Sequence, residues 1–506
     1  MNIFKRTIAV MMSAVILIGS GVIAANAATE SDIVETSTTI KSADNANTSK
    51  FTFDKKTGEL TLLEYGYSDF QYDNDDGGIN PGELVPWKSF RDKIKSVTIT
   101  KKFGRVPAGC FIECENLTKV TIPDNVKSID ELAFYNCSSL KSVDLPSGLE
   151  SICFFAFYNC KSLKSIEIPE KVKTVDYNSF ENCESLQSVK LPSQLGKIED
   201  EAFIGCKSLA QINIPETVTE IEQDAFNGCE SLKSVKLPDC ITSISYRLFY
   251  GCKSLEDVKF SDNVKEISGY AFDDTALYNN ESNWEDGALY IGNCLYKARD
   301  GKKNFTVKDG TTLIACEAFH DNKELVSVSL PDTLKYINSD AFLGCKKLKS
   351  ITIPKSVTEI GSAAFYGCAE GFTINGYKNS AAHKYAKEDR ARFYNLETKQ
   401  VINYGKKNPI KVTAKKKTLK AKTLKAKKLK VKLLSVKKAK GKVSYTILGV
   451  SKKLKGKVSV SKKGVFTFKK GKYKKGTFKI KVYVQAEGNT EYLEKYVKKI
   501  IKVKIK

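Results

Sequence analysis

The chain has 506 residues and a formal net charge of +24, with 82 basic and 58 acidic side chains. Its length exceeds what one hydrophobic core usually supports, which excludes a single small domain and predicts several domains or a repeat array. The charge is unevenly divided, because residues 399–506 contain 37 lysines and three acidic residues, a net charge of +34. The part before residue 399 therefore carries 24 − 34 = −10, so an acidic body precedes a very basic C-terminal part.

The N-terminus has the pattern of a cleavable export signal. Lys5 and Arg6 precede an apolar run over residues 8–25, and residues 25–27 read Ala-Asn-Ala, a small-residue cleavage site. The alternative is an uncleaved membrane anchor, which the Gly-Ser-Gly interruption at residues 19–21 disfavours. We predict a signal peptide over residues 1–27, a protein that is secreted or held at the cell surface, and no transmembrane segment after cleavage.

Two short alternating segments follow a predicted flexible linker over residues 28–50. Residues 51–53 and 60–62 alternate apolar and polar side chains on either side of Gly58, which predicts a β-hairpin. A repeat array needs closed ends, so we predict an N-terminal cap over residues 51–108.

A period of 23 residues runs through the middle of the chain and predicts a repeat solenoid. It carries three columns of identical residues: Cys114, Cys137, Cys160, Cys183, Cys206, Cys229 and Cys252; Phe111, Phe134, Phe157, Phe180, Phe203, Phe226, Phe249 and Phe272; and Leu117, Leu140, Leu163, Leu186, Leu209, Leu232 and Leu255. Each coil contains an apolar-polar-apolar segment that ends at a proline, which predicts one short strand per coil with turns between.

The period lapses over residues 277–310 and resumes at Phe319, Phe342 and Phe365. We interpret the lapse as irregular coils within an unbroken solenoid, with a hairpin of residues 289–291 and 294–296 around Gly292. The solenoid is predicted over residues 109–398. Its C-terminal cap, at about 369–398, contains a short helix over residues 380–386 with Ser380 as a candidate N-cap.

These motifs resemble BspA-like leucine-rich-repeat proteins. The resemblance rests on the 23-residue unit, the proline after the strand, the A-F-x-x-C-x-S-L segment and the ending from Gly376 to Ala386, and it covers residues 51–398. It implies a leucine-rich-repeat solenoid on a secreted or surface-displayed bacterial protein. Some members of that family are adhesins for matrix proteins or other cells, and the family has no common catalytic site.

All 14 cysteines lie between Cys110 and Cys368. An even number in an exported chain would ordinarily suggest disulfides. Stacked coils place successive cysteines within bridging distance but with parallel Cβ directions, whereas a disulfide needs converging ones. We therefore expect mostly free, buried thiols that pack as small apolar residues, with disulfides as the alternative.

From residue 399 the sequence alternates lysine with Leu, Val, Ile and Phe, and glycines punctuate it at turn-like intervals. This pattern predicts antiparallel strands in an all-β sandwich over residues 399–506, loosely similar to bacterial immunoglobulin-like domains. The lysines on such a sheet keep its edges from aggregating, but this charge exceeds what solubility requires and would attract polyanions. In an exported protein the expected partner is an anionic cell-wall polymer or polysaccharide, not intracellular nucleic acid. Our candidate contacts are Lys415, Lys416, Lys417, Lys427, Lys428, Lys430 and Lys432.

No motif predicts an enzyme, a metal site or a cofactor. H-E-x-x-H, G-x-S-x-G and phosphate-binding-loop patterns are absent from the sequence. Residues 73–78 resemble the start of a calcium loop, but Leu84 stands where its final acidic ligand is expected. No C-x-x-C pair occurs, and the chain has two histidines, which disfavours zinc.

The outward strand positions form a column of varied polar side chains, which suits recognition of a protein on a rigid surface. The candidate ligand-binding residues are Asp144, Glu167, Lys190, Asn213, Lys236 and Lys259. A second column, Tyr135, Tyr158, Tyr250 and Tyr366, would supply stacking sites if exposed and would otherwise shield the core. We predict a surface protein that adheres to host, cell or extracellular macromolecules. The alternatives are a structural envelope protein without a specific ligand, or an acidic-polysaccharide binder acting through the basic domain.

Overall fold

The computed structural model describes residues 33–35, 39–42, 49–64, 85–404, 410–415, 417–439, 442–486 and 495–506. The predicted signal peptide, the calcium-like segment over residues 73–78 and Lys416 lie outside the described residues. Part of the segment predicted as a linker is strand, since Ile33–Glu35 and Thr39–Ser42 pair antiparallel. Among the helices in these ranges, none has the length and hydrophobicity to cross a membrane.

The described residues form two compact units. The first contains the residues up to Ala298 together with Leu313–Ala318, and the second contains Arg299–Thr312 and everything from Phe319 onward. Stacked coils occur in both units, and the basic C-terminal region belongs to the second.

The first unit opens with the predicted hairpin. Strands Lys50–Asp54 and Glu59–Glu64 pair antiparallel, and Glu59–Glu64 then pairs in parallel with Ser96–Ile99, where the stacking of coils begins. A 3₁₀ helix, Lys88–Lys93, lies between them. Trp87 is fully buried there and donates from Nε1 to the Cys110 carbonyl at 2.8 Å. This indole caps the interior of the first coil, so the cap closes the core with an aromatic ring.

Most coils of the first unit contribute two very short strands, one to each of two parallel walls, and residues 211–215 of one coil run past the first wall without a strand. The first strand sits where the alternating pattern predicts it: Lys119–Thr121, Ser142–Val143, Ser165–Glu167, Ser188–Lys190, Ser234–Lys236 and Asp257–Lys259. The second precedes the turn that contains the periodic Phe of each coil: Arg105–Val106, Ser128–Ile129, Ser151–Ile152, Thr174–Val175, Lys197–Ile198, Glu220–Ile221, Ser243–Ile244 and Glu266–Ile267. Neighbouring coils pair with an offset of one period, as between Ser165 and Ser188.

The phenylalanine and cysteine columns fill the interior. Successive rings from Phe111 to Phe272 stack with centroids 5.2–5.8 Å apart. From Cys137 onward, each thiol of the cysteine column donates a hydrogen bond to the Phe carbonyl of the preceding coil. Examples are Cys160 to Phe134 at 3.2 Å and Cys206 to Phe180 at 3.3 Å. Each of these carbonyls also accepts from the backbone amide of the cysteine in its own coil, such as Cys137 N to the Phe134 carbonyl at 3.2 Å, so the thiol supplies a second donor to a buried acceptor. All 14 cysteines are free thiols in the structure.

An irregular segment follows in the first unit. It consists of helix Ala276–Asn279, 3₁₀ helix Glu281–Asn283 and strands Trp284–Glu285, Ala288–Ile291 and Cys294–Ala298. The last two pair antiparallel around Gly292, which has φ +55°, so the predicted hairpin is confirmed. Cys294–Ala298 then pairs in parallel with Leu313–Ile314.

The second unit repeats the coil and closes it. Its strands are Asn304–Thr306, Ser327–Ser329, Tyr336–Ile337, Ser350–Thr352, Glu359–Ile360, Thr373–Gly376, Arg392–Asn395 and Gln400–Asn403. Helix Ala381–Glu388 begins at Ser380, whose hydroxyl accepts from the His383 amide. Its buried Tyr385 hydroxyl accepts from the Phe365 amide at 3.3 Å. The predicted capping helix is therefore confirmed, and it covers the last Phe of the column.

The basic C-terminal region is all-β with one short helix. Its elements are strands Lys411–Ala414, Lys417–Leu419, Leu429–Lys432, Leu434–Lys437, Val443–Val450, Val458–Val460, Val465–Phe468, Gly476–Ala486 and Lys495–Ile505, helix Ala421–Ala426 and 3₁₀ helix Lys452–Leu454. They form sheets of two, three and four strands around one apolar core that includes Phe466, Phe468 and Ile480. Lysine alternates with these apolar residues and faces outward, as the period of two predicts.

Candidate binding surfaces

The six residues predicted to bind ligand share one exposed wall, which we name the strand face. Glu167 lies opposite Lys190, and Lys236 lies opposite Lys259, in parallel register. Asp144 directly follows strand Ser142–Val143, and Asn213 occupies the equivalent position in a coil that has no strand there. All six side chains are exposed: Asp144, Glu167, Lys190, Asn213, Lys236 and Lys259.

Ion pairs neutralise much of the strand face. Lys190 Nζ lies 2.5 Å from Glu167 Oε1, and Lys236 Nζ lies 2.5 Å from Glu216 Oε1. A hydrogen bond to the neighbouring glutamate raises the pKa of each lysine. The charged groups of this wall therefore largely pair with each other. The wall presents groups of both charges to a ligand instead of a surface potential of one sign.

A second surface flanks the phenylalanine column, on the side where each coil turns, and we name it the turn wall. Its backbone is held between coils by a ladder of hydrogen bonds, such as Asn136 N to the Tyr158 carbonyl at 2.9 Å and Asn159 N to the Glu181 carbonyl at 2.7 Å. This ladder places Tyr135, Tyr158 and Glu181 in one column, one coil apart. The turn wall is therefore a rigid surface on which outward side chains have fixed neighbours.

Aromatic side chains cluster on the turn wall at its N-terminal end. Tyr135 and Tyr158 stack with their centroids 4.5 Å apart and ring planes 6° apart. Phe155 contacts Tyr135, Tyr158 and Tyr177 edge to face, at 5.4–6.4 Å. Phe154 is 37% exposed beside them. These rings are partly exposed and lie outside the core. Shielding of the core by Tyr135 and Tyr158 therefore explains only the buried part of each ring.

Two carboxylates continue this aromatic cluster. The buried Asn178 side chain donates from Nδ2 to Glu201 Oε2 at 2.9 Å and also to Glu181 Oε2. Asn178 Oδ1 and Ser179 Oγ are buried without a hydrogen-bond partner among the described residues. We name the set Tyr135, Phe155, Tyr158, Tyr177, Glu181 and Glu201, with Asn178 behind it, the Tyr158 patch.

In the Tyr158 patch, burial and neighbouring carboxylates raise the pKa values of the acidic groups. Burial, followed by the charge of Glu201, raises the pKa of Glu181 to about 7. Burial raises the pKa of Tyr177 to about 12, with Glu201 and Glu181 adding to the effect. Burial and then the charge of Glu222 raise the pKa of nearby Asp200 to about 6. Within the part of the chain that the structure describes, no lysine or arginine forms an ion pair with Glu181.

A second aromatic group lies further along the turn wall of the first unit. The Arg247 guanidinium carbon lies 5.3 Å from the ring centroid of Tyr246 and 5.2 Å from that of Tyr250. Tyr270 contacts Tyr246 edge to face and is 37% exposed. Tyr366, in the second unit, is 67% exposed. The tyrosine column is thus accessible at several coils.

One backbone position of the turn wall is left-handed in coil after coil. Leu132, Phe155, Asn178, Glu201, Asp224, Arg247 and Tyr270 all have φ between 50° and 59°. Such a conformation costs a bulky residue roughly 1–2 kcal/mol, and Gly, Asn and Asp tolerate it best. Because every coil of this series adopts the conformation, it belongs to the repeat itself, and Phe155, Arg247 and Tyr270 occupy it despite that cost.

The predicted polyanion contacts in the basic domain are exposed wherever the structure describes their side chains. These are Lys415, Lys417, Lys427, Lys428, Lys430 and Lys432. The four-stranded sheet carries a denser group: Lys479 and Lys502 lie directly opposite each other in antiparallel register, and Lys481, Lys498 and Lys504 share their face. No acidic residue lies in the described part of the C-terminal domain from residue 410 onward. This face is therefore a concentrated positive surface that the sequence prediction did not select.

The model of the BspA-type leucine-rich repeat region, which comprises six copies of the repeat, matches residues 88–209, 173–298 and 289–401. These segments cover more than half of the chain. The chain belongs to the BspA-type leucine-rich-repeat family. No curated protein matches the sequence significantly.

Several solved structures are similar to this BspA-type chain. A leucine-rich repeat protein from Bacteroides ovatus is 26% identical, with 68% of this chain and 97% of that one covered and a TM-score of 0.37. One from Eubacterium ventriosum is 23% identical, covering 64% and 93%, with a TM-score of 0.35. A leucine-rich cell surface protein from Faecalibacterium prausnitzii is 21% identical, covering 68% and 97%, with a TM-score of 0.28.

Sequence reasoning found the strand face but missed most of the Tyr158 patch. Phe155, Tyr177, Glu181 and Glu201 occupy repeat positions that carry no uniform residue, and only the tyrosine column was singled out. The available signal was that some coils carry an aromatic residue at one or both of the two positions before the small residue and the Phe: Phe154, Phe155, Tyr177, Tyr246 and Tyr270. Among the described residues, no group of three or more His, Cys, Asp or Glu could hold a metal ion.

Proposed function

We propose that this BspA-type protein is secreted or displayed at the bacterial cell surface and binds other macromolecules without catalysing a reaction. In this proposal the solenoid adheres to host, cell or extracellular macromolecules, and the basic domain, with an immunoglobulin-like fold, holds an anionic polymer of the cell wall. The family membership supports a binding scaffold. The Tyr158 patch is the observation that carries the proposal, because a rigid wall there presents partly exposed rings beside incompletely paired polar groups.

The turn wall suits protein recognition better than the strand face does. Tyrosine and phenylalanine supply large contact area at low conformational cost and dominate the centres of protein interfaces. On the strand face the lysines already pair with Glu167, Glu216 and Asp257, so a ligand would first have to replace those contacts. We therefore move the proposed binding surface from the strand face to the turn wall.

The lysine face of the four-stranded sheet supports polymer binding. Like charges directly opposite in an antiparallel pair repel each other, and Lys479 and Lys502 are such a pair. A polyanion such as a teichoic acid would relieve that repulsion and release its own counterions. An acidic extracellular polysaccharide would satisfy the same face, and this is the second candidate function.

The solenoid part is tested by measuring binding of the full chain to immobilised matrix proteins, host cells and bacterial cells at about 150 mM salt. Saturable binding to a protein or to protease-sensitive sites on cells supports adhesion. Absence of binding to every surface would instead leave a structural envelope role and contradict the proposal.

The basic domain is tested by binding purified teichoic acid and an acidic polysaccharide at rising salt. We expect affinity for teichoic acid to fall at least tenfold between about 50 and 200 mM salt, because several lysine–phosphate contacts are lost together. Lys479→Glu with Lys502→Glu should weaken it much more than Lys453→Glu with Lys455→Glu, a pair with the same charge change. Salt-insensitive binding, or equal effects of the two pairs, would contradict this assignment.

A further inference from the structure

We propose that Arg247 binds a carboxylate of an acidic side chain from the protein that the solenoid recognises. This inference deepens the proposed adhesive function and rests on it. The site lies along the turn wall of the first unit, and we name the set Tyr246, Arg247, Tyr250, Tyr270 and Lys297 the Arg247 patch. In the expected arrangement the carboxylate accepts hydrogen bonds from the terminal nitrogens of the guanidinium, beside the exposed tyrosine rings.

The first argument is that the Arg247 guanidinium has no acidic partner among the described residues. None of its nitrogens donates a hydrogen bond to a described residue, and no described carboxylate forms an ion pair with it. Nε is enclosed by neighbouring atoms, whereas the two terminal nitrogens are not. A guanidinium is a planar fork of N–H donors that matches the two oxygens of a carboxylate. The outward side of that fork is therefore available to a ligand.

The second argument is that the acids near Arg247 do not neutralise it. Asp224 occupies the same column one coil earlier, and its carboxylate accepts a hydrogen bond from Asn227 Nδ2 at 2.7 Å. One coil later, the charge of Glu317, followed by burial, raises the pKa of Tyr270. Glu317 nevertheless forms no ion pair with Arg247. The patch therefore keeps a positive charge that the described part of the chain does not compensate.

The third argument is that the guanidinium is held in place before a ligand arrives. Its carbon lies 5.3 Å from the ring centroid of Tyr246 and 5.2 Å from that of Tyr250, within the range of cation–π attraction. The backbone is fixed as well, since Arg247 N donates to the Gly269 carbonyl at 3.3 Å and Tyr250 N donates to the Arg247 carbonyl at 3.1 Å. A side chain that is already ordered loses less conformational entropy when it binds.

The fourth argument separates an acidic side chain of a protein from an anionic polymer or a sugar. The part of the chain before residue 399 carries net negative charge, so a polymer charged at every repeat would be repelled along the solenoid. A sugar ring stacks on an open aromatic face, but Arg247 lies over one face of Tyr246 and of Tyr250. Lys297 Nζ lies 5.9 Å from the ring centroid of Tyr270. These cations therefore compete with a sugar for the ring faces.

A protein surface fits the same patch better. Tyr246 is 39% exposed and Tyr270 is 37% exposed, and tyrosine together with arginine is typical of the centres of protein interfaces. Lys297 forms no ion pair with a described residue, so it adds a second positive charge beside the rings. One carboxylate on a partner, flanked by residues that pack on the tyrosines, satisfies the patch without bringing further negative charge to the acidic solenoid.

The test measures the rate at which phenylglyoxal, an arginine-specific reagent, modifies Arg247 in the full chain at about 150 mM salt. Mass spectrometry of peptide fragments reports on each arginine separately, so binding of an acidic probe to the basic domain does not obscure the result. The probe is an excess of a peptide with two glutamates, and the same peptide with glutamine at both positions is its control. We expect the glutamate peptide to slow modification of Arg247 at least threefold. Exposed Arg390, in the second unit, is the internal reference and should change less than 1.5-fold.

A second measurement compares variants in the adhesion of chain-coated beads to matrix proteins and host cells. We expect Arg247→Gln to lower adhesion at least fivefold. Arg247→Lys, which keeps the charge but not the planar fork, should lower it less. Lys164→Gln removes one positive charge from an exposed position of the first unit and should leave adhesion within twofold. Circular dichroism shows whether each variant is folded.

Three results would overturn the inference. The first is equal protection of Arg247 by the glutamate and glutamine peptides, or equal protection of Arg390, because the patch would then not select a carboxylate. The second is stronger protection by a sulfated polysaccharide than by the glutamate peptide at equal charge, which would make an anionic polymer the ligand. The third is protection that rises with protein concentration in the absence of peptide, which would make a second copy of this chain the occupant.

The two measurements also separate this inference from the adhesive function. If the chain adheres and Arg247→Gln leaves adhesion unchanged, the adhesive function stands and the inference fails. If the glutamate peptide protects Arg247 but the chain adheres to no surface, the carboxylate site stands and the adhesive function fails.

Discussion

Replacing Glu181 by Gln should make the protein more stable at high pH and leave it almost unchanged at low pH. The folded state raises the pKa of this carboxyl group from an ordinary value of 4.5 to about 7, mainly through burial and then through the charge of Glu201. A carboxyl group with a raised pKa destabilises the folded state at every pH at which the group is ionised in the unfolded chain. The penalty is absent below about pH 4.5, grows as pH rises, and is complete above about pH 7.

The size of the effect follows from the same pKa. One pKa unit corresponds to about 1.4 kcal/mol, so the penalty at pH 8 is at most about 3.5 kcal/mol. Because water screens the partly exposed side chain, the real penalty is smaller. We expect Glu181→Gln to raise the free energy of unfolding by about 1–2 kcal/mol at pH 8. Glutamine keeps one acceptor oxygen, so of the two amide donors of Asn178 and Asn182 that Glu181 accepts from, it retains one, and this loss is a further reason for a gain below the maximum.

The assay is urea denaturation of the full chain at pH 4.5 and pH 8, with unfolding monitored by circular dichroism. Glu167→Gln is the matched control, because it makes the same chemical change at an exposed site and breaks only a surface ion pair. A higher denaturation midpoint for Glu181→Gln at pH 8 alone is the expected outcome. Equal destabilisation at both pH values would mean that the carboxylate is a structural hydrogen-bond acceptor, and the reasoning about a strained binding group would be refuted.

Three further outcomes are expected from the fold. Cys206→Ala should cost about 1–2 kcal/mol in thermal unfolding, since it removes a buried thiol and its hydrogen bond to the Phe180 carbonyl. Cys240→Ala should cost less, because it removes an exposed thiol and only a partly buried hydrogen bond to the Val218 carbonyl. Ala363→Gly should raise the melting temperature slightly, because Ala363 has φ +52° and glycine relieves roughly 1 kcal/mol of strain; a fall in melting temperature would contradict this. Lys479→Glu should stabilise the basic domain by about 0.5–1 kcal/mol at low salt by replacing a like-charged pair with an attractive one, and the gain should shrink in 1 M salt.

The period of the sequence predicted the parts of the fold that depend on burial. The Phe and Cys columns, the strand before each proline, the hairpin around Gly292 and the helix after Ser380 all follow from which side chains must leave water and which residues end a strand or begin a helix. These rules act between residues close in sequence, or repeat in the same way from coil to coil. Short-range sequence patterns were therefore sufficient to predict these elements.

The Tyr158 patch could not be predicted in the same way. Its residues sit at non-repeating positions, and the direction of Phe155 depends on a left-handed backbone that bulky residues seldom adopt. The strand face was located correctly, but its ion pairs depend on side-chain conformations that the pattern does not encode; Lys236, for instance, pairs with Glu216 and not with a residue of its own column. In the basic domain, the opposition of Lys479 and Lys502 depends on strand register.

The central claim is that the turn wall, and not the strand face, is the binding surface of the solenoid. Adhesion of beads coated with the full chain to host cells and matrix proteins tests it most directly, comparing Phe154→Asp on the turn wall with Asn213→Asp on the strand face. Both variants add one negative charge at an exposed position of the first unit. We predict that Phe154→Asp lowers adhesion at least tenfold and that Asn213→Asp leaves it within twofold. Loss of adhesion in Asn213→Asp, with Phe154→Asp unchanged, would contradict the account.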